Sequence, residues 1–162
     1  MTWWKRQRAA LAALGIAAVA VVGVYAWTDI LPASGGDDAA VVSADDEIEL
    51  AGQTLEVVSV RWDEFDAPDG MRSLSVELRA SGGPDAAMCG SSSLNEIGGD
   101  REWADARRLL DVPWEAGESS CGAEVASYRI LSVFLLPDDA SGPFRLNLSG
   151  DLGEHVGVVI EP

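Results

Sequence analysis

Ala9 to Trp27, AALAALGIAAVAVVGVYAW, is an unbroken apolar run whose only ionisable group is the Tyr25 phenol, and it follows the basic cluster Lys5, Arg6 and Arg8. As a helix rising about 1.5 Å per residue, such a run covers roughly 28 Å, close to the hydrocarbon thickness of a bilayer. The expectation is one transmembrane helix over 9–27. Trp3 and Trp4 before it, and Tyr25 and Trp27 at its far end, are placed as interfacial anchors. Basic residues are retained on the cytoplasmic side, so residues 1–8 form a short inner tail and the rest of the chain is exported to the plasma membrane's outer side. A tail of this size holds no catalytic, DNA-binding or sigma-factor-binding domain, and signalling would need a separate membrane partner.

The competing reading of the same stretch is a cleaved signal peptide, with Val24-Tyr25-Ala26 or Leu31-Pro32-Ala33 as the small-x-small site. The length of the run and the aromatic residues at its end favour an uncleaved anchor. The first cysteine is Cys89, far beyond the apolar segment, which closes the lipid-anchor route. Ala9, Ala13 and Ala17 fall at small-xxx-small spacing, which permits a homodimer through the helix. An alanine-rich segment produces that spacing by chance, and the homodimer is not favoured.

Charge narrows the partners. The chain has 11 Lys and Arg against 27 Asp and Glu; three of the basic residues precede the run, so the exported part holds eight against 27, a balance of −19 without one lysine. That field repels nucleic acid and anionic headgroups, and suits solubility, cations or a basic partner. Residues 28–46 are rich in Gly, Ser, Ala and Asp and show no periodicity, so they read as an acidic flexible tether, with Val41-Val42 as an alternative edge strand.

Residues 47–162 read as a single all-β domain. Ile48 and Leu50 alternate with Glu47 and Glu49, and the turn Ala51-Gly52-Gln53 leads into the valine-rich 54–62, making a hairpin. After the loop 63–70, with Pro68-Asp69-Gly70 as its turn, Leu74, Val76, Leu78 and Ala80 alternate with polar neighbours in the plainest half-buried strand. Gly98-Gly99-Asp100 reverses the chain between 94–97 and 101–103, and 104–110 has the composition of one or two helical turns. Strands are expected at 124–136, 143–148 and 156–160. About seven short strands with no long helical period predict an antiparallel β-sandwich.

Cys89 and Cys121 both lie in the exported part, where one intrachain disulfide is the simplest pairing. Metal ligation is disfavoured by the absence of a CxxC spacing and by His155 being the sole histidine. Asp63, Glu64, Asp66 and Asp69 crowd one loop, a weak calcium candidate whose spacing does not fit an EF-hand and whose simpler reading is a solvated acidic loop. Asn147-Leu148-Ser149 matches a glycosylation sequon but falls in a predicted strand. No Gly-x-Ser-x-Gly, HExxH, phosphate-cradling or dinucleotide motif is present, so the chain is read as no enzyme and no cofactor is implied. Of Trp62, Trp103 and Trp114, at least two are expected in the core; an exposed pair beside Arg107 and Arg108 would mark an interaction patch.

The order GQTLEVVSVRW, LSVELRA, WEAGESSCG and VFLLPDDA, followed by two strands, resembles the small immunoglobulin-like domains of unknown function carried on bacterial lipoproteins and membrane-anchored exported proteins, over residues 47–160. The particular signature is Val133-Phe134-Leu135-Leu136-Pro137 after Ala116-Gly117-Glu118. This chain departs from the pattern in lacking a lipid-attachment cysteine and in carrying the Cys89/Cys121 pair. The resemblance implies an immunoglobulin-like sandwich in the cell envelope and carries over no catalytic residue. The expected role is a non-catalytic binding or assembly module with an envelope protein partner. The alternatives are a structural domain secreted by cleavage and an envelope hydrolase using acidic residues.

Overall fold

The computed structural model describes residues 40–83, 85–90, 92–122, 126–151 and 153–162, together with Leu14, Ala17 and Ala18, which are helical. The rest of the run 9–27, the basic cluster Lys5, Arg6 and Arg8, and the anchors Trp3, Trp4, Tyr25 and Trp27 lie outside the described residues. Among the described residues no helix is long and apolar enough to cross a membrane.

From Ala39 to Pro162 the chain forms one compact unit. Its strands are β1 (Ala40–Ser43), β2 (Ile48–Leu50), β3 (Gln53–Trp62), β4 (Met71–Gly82), β5 (Ser93–Glu96), β6 (Glu102–Ala104), β7 (Ser127–Pro137), β8 (Phe144–Ser149) and β9 (His155–Ile160). They make two sheets, a five-stranded one in the order β1-β9-β8-β5-β6 and a four-stranded one in the order β2-β3-β4-β7. Every pairing is antiparallel except β1 with β9. The β-sandwich expected from the alternation is present, with nine strands among the described residues where about seven were expected. β2 is the strand read from the Ile48 and Leu50 alternation, whereas β1 and β6, four and three residues long, are too short to be counted by period.

The tether expectation fails at its far end. Residues 40–43 pair in parallel with Val156 to Val159, and Val42 and Ala44 pack against the core, so the folded unit begins before Glu47. The alternative reading of Val41-Val42 as an edge strand is the one the structure forms, and the edge of β9 supplies its pairing. Of the one or two helical turns expected over 104–110, one is present. Leu110 N–H donates to the Ala106 carbonyl at 3.1 Å, and Asp111 at φ 47° ends that single turn. The long strand expected from Glu124 begins at Ser127.

The core follows from the period of two. Leu55, Leu74, Val76, Leu78 and Ala80 of the four-stranded sheet face Leu94, Phe144, Leu146, Val158 and Ile160 of the other, all fully buried. Each large side chain so placed contributes roughly 1.5–3 kcal/mol of transfer free energy. Phe144 is the keystone: Trp62 meets it edge-on with centroids 6.1 Å apart, and Trp103 does the same at 5.8 Å. The β2–β3 hairpin closes on Ala51 and Gly52, both at positive φ, which matches the right-handed twist of the strands. Ala51 is held there by the Glu154 carboxylate, which accepts its N–H at 2.7 Å. Gln53, read as part of this turn, is a strand residue.

Candidate functional site

Between β6 and β7 the chain leaves the sandwich and lays residues 105–118 along the free edge of β7. The hydrogen-bonding groups that an edge strand exposes are thereby satisfied. Ala106 N–H donates to the Val133 carbonyl at 2.7 Å, the Asp105 carboxylate accepts the Val133 N–H at 3.3 Å, and Glu118 exchanges bonds with Arg129 and Leu131 at 2.9 Å. The same segment covers Leu131 and Val133, whose side chains point away from the core yet are 4% and 0% exposed.

Arg107 is the clamp of this segment. It is buried, and its guanidinium donates to the carbonyls of Leu131 at 3.1 Å and Pro113 at 3.4 Å. A cation normally found on a carboxylate here neutralises carbonyl lone pairs of a strand edge. Sequence reading took Arg107 only as a neighbour of aromatic residues. No local pattern tells an arginine that binds backbone from one that faces water.

The excursion leaves an open groove of about 940 Å³, walled by Arg107, Arg108, Asp111, Trp114, Cys89 and Ser120 among others. Trp114 stands on a 3-10 turn, Trp114–Ala116, and is 82% exposed; Leu109 is 77% exposed. Among the described residues the Arg108 side chain makes no hydrogen bond or ion pair. Two of the three tryptophans pack against the core as expected, and the third is the one beside Arg107 and Arg108.

One wall of the groove is fastened by the cysteines. Cys89 and Cys121 have Cα atoms 5.1 Å apart, at disulfide distance, and the Cys89 N–H donates to the Cys121 carbonyl at 3.2 Å. Gln53, 2% exposed, ties the same loops together. Its amide donates to the carbonyls of Ala87 at 2.6 Å and Gly122 at 2.7 Å, and its oxygen accepts the Tyr128 hydroxyl. A second polar pair, Ser92 and Ser132, is buried near the cysteines with hydroxyls 2.7 Å apart.

The acidic loop is spoken for by arginines. Asp63 chelates Arg72, and that hydrogen-bonded pair holds the Asp63 carboxyl below its ordinary value and raises the Arg72 guanidinium. Glu64 contacts Arg61 at 3.2 Å and accepts the Ser75 hydroxyl at 2.5 Å. Asp66 and Asp69 are exposed and stand apart from these pairs. Among the described residues no three His, Cys, Asp or Glu side chains converge as a metal site. Arg101 bridges Glu96 and Asp139 at the β5–β6 turn, where the hydrogen bonds lower the Glu96 carboxyl and raise the guanidinium. His155 is exposed at the start of β9, and Asn147 of the sequon is bonded to Asn95 within the sheet.

No family model matches the chain, and no curated protein sequence matches it. Among solved structures, an uncharacterized β-sandwich protein from Clostridium difficile 630 has a TM-score of 0.46 and 8% identity, over 76% of this chain and 95% of that one. The domain is a β-sandwich. Its described side chains form a groove with an exposed tryptophan and an unpaired arginine.

Proposed function

We propose that this protein is a single-pass membrane protein, cytoplasmic at its N-terminus, whose extracytoplasmic domain is an immunoglobulin-like, non-catalytic binding or assembly module of the bacterial cell envelope. The anchor reading rests on the 9–27 run and its basic flank. The immunoglobulin-like reading is supported by the chain crossing between sheets after β1, β4, β6 and β7, and by β1 running parallel to the last strand at a sheet edge.

The observation that carries the binding role is Trp114, 82% exposed at the rim of the groove beside the unpaired Arg108. Tryptophan and arginine are the residue types that most often anchor protein interfaces, and a ring left in water on a hydrogen-bonded, disulfide-fastened scaffold is preorganised for a partner. The partner is a protein that offers an apolar pocket for the ring and a carboxylate for Arg108.

A photoreactive aromatic amino acid at position 114 of the full chain, illuminated in intact cells, is expected to capture one discrete protein. Trp114→Ala is expected to weaken the recovered complex by about 2 kcal/mol, roughly thirtyfold, without changing the melting temperature. Absence of any adduct at 114, or a reporter fused behind Pro162 that is active in the cytosol, overturns the reading.

A further inference from the structure

The outward face of the five-stranded sheet is unlike the rest of the domain. Its side chains are those that alternate with the core residues: Ser93 and Asn95 on β5, Arg145, Asn147 and Ser149 on β8, His155, Gly157 and Val159 on β9, and Val41 and Ser43 on β1. In a domain with 24 acidic residues against eight arginines, this central area carries one cation and, at its β6 edge, one anion, Glu102. Among the described residues neither makes an ion pair, and the Arg145 Nε is buried without a hydrogen-bond partner.

The register arranges the two charges symmetrically. Asn95 lies opposite Arg145 on one side and opposite Glu102 on the other, so the three occupy one row across β8, β5 and β6 with Asn95 at its centre. The Arg145 stem lies flat toward β9, because a Cβ at Gly157 would stand 2.9 Å from its Cδ. Gly157 thus keeps the face level beneath the Arg145 stem.

A two-fold axis through Asn95, parallel to the strands, turns this row onto its own complement. Arg145 of one copy faces Glu102 of the other, twice, with the Asn95 side chains meeting on the axis. Stacked sheets at about 10 Å separation have the same aligned geometry as the sheets within the sandwich. We propose that a second copy of this chain docks on this face, forming an isologous dimer. It is independent of the Trp114 groove, which opens beside the other sheet.

With the axis on β5, next to the sheet edge, β8, β5 and β6 are the strands that overlap; three strands at about 4.8 Å and about five residues at about 3.3 Å give roughly 240 Å² per copy, well below the ordinary interface of about 800 Å² per partner. The contact is accordingly weak in free solution. Confining both copies to one surface raises their effective concentration and fills the dimer. The acidic remainder of the domain repels its like, and this face, with one cation and one anion, adds little to that cost.

The test places Asn95→Cys in the full chain and treats isolated membranes with a short bismaleimide, the native cysteines being paired. Val58→Cys, exposed at the bulge of β3 in the other sheet, is the comparison. Cross-linked dimer is expected at position 95 at least fivefold above position 58, to fall at least fivefold on adding Arg145→Glu, and to return when Glu102→Arg joins it. Equal yields at 95 and 58, as association through an N-terminal helix alone gives, overturn the proposal. So does a yield indifferent to Arg145→Glu, or a failure of the double reversal to restore it.

Discussion

The two outward faces of the sandwich are built on opposite plans. On the four-stranded sheet Glu77 sits between Arg61 at 3.1 Å and Arg129 at 3.5 Å, Glu56 meets Arg79 at 3.1 Å, and the 63–70 loop drops Phe65 and Glu64 onto Ser73 and Ser75. The 105–118 excursion then closes the edge at β7. Among the described residues the five-stranded sheet has no such cover, and its middle is a row of small and amide side chains. The contrast shows where an acidic chain uses its few cations. Arginines are drawn to the face already crowded with carboxylates, which leaves the opposite face nearly neutral and open to contact.

The largest effect on that contrast is expected from the cysteines. Cys89→Ser with Cys121→Ser opens a closure of sequence separation 32 and should lower stability by about 3–4 kcal/mol in a urea titration, loosening the covered side first in hydrogen exchange. If the amides of β8 and β9 lose protection before those of residues 105–120, the assignment of the bridge to the covered side is wrong.

Arg107→Met comes next. It keeps the apolar stem but leaves the Leu131 and Pro113 carbonyls without their donor, at an expected loss of about 2 kcal/mol. Arg108→Met, one residue on and exposed, should change the denaturation midpoint very little; equal effects would erase the distinction between clamp and groove wall.

Glu77→Gln should cost about 1 kcal/mol or less, with the difference shrinking in high salt, because both partners are exposed arginines. On the bare face, Asn147→Ala removes the amide bonded to Asn95 and should cost about 0.5–1 kcal/mol, insensitive to salt. A salt-dependent loss at Asn147 would mean that the five-stranded face is electrostatically held after all.

The smallest effect is one of pH. Asp63 and Glu96 both have carboxyl groups held below their ordinary values by Arg72 and Arg101. A carboxyl with a depressed folded-state pKa stabilises the fold at pH above its unfolded value, and that contribution is lost as pH falls through the folded one. Stability should therefore decline on acidification below the ordinary carboxylate range, and Asp63→Asn with Glu96→Gln should flatten the decline. A steeper acid dependence in the double variant would contradict the sign.

Much of the architecture is legible in single residues. Leu74, Val76, Leu78 and Ala80 announce their strand, since one face of a half-buried strand must be apolar at every second position. The β5–β6 reversal around Gly98 was equally plain, as that residue stands at φ 86°. β1 is legible only as an alternative to the tether, because Val41 and Val42 do not by themselves decide between the two without β9 beside them. Gln53 and Arg107 were hidden because a buried polar side chain is defined by its partners, here Ala87, Gly122, Leu131 and Pro113, which lie 34, 69, 24 and 6 residues away.

Local chemistry alone determined that this chain would alternate into a two-layered β domain, carry its acidity on an outside surface and hold its two cysteines as its one available pair. Those properties depend on residue type and near spacing, which the chain states directly. Tertiary structure decided which cation became a clamp, which tryptophan was left in water, and that Arg145, Asn95 and Glu102 share a row. The Arg107–Leu131 and Arg145–Asn95 relations join segments far apart in the chain, and only the pairing of those segments brings the residues together.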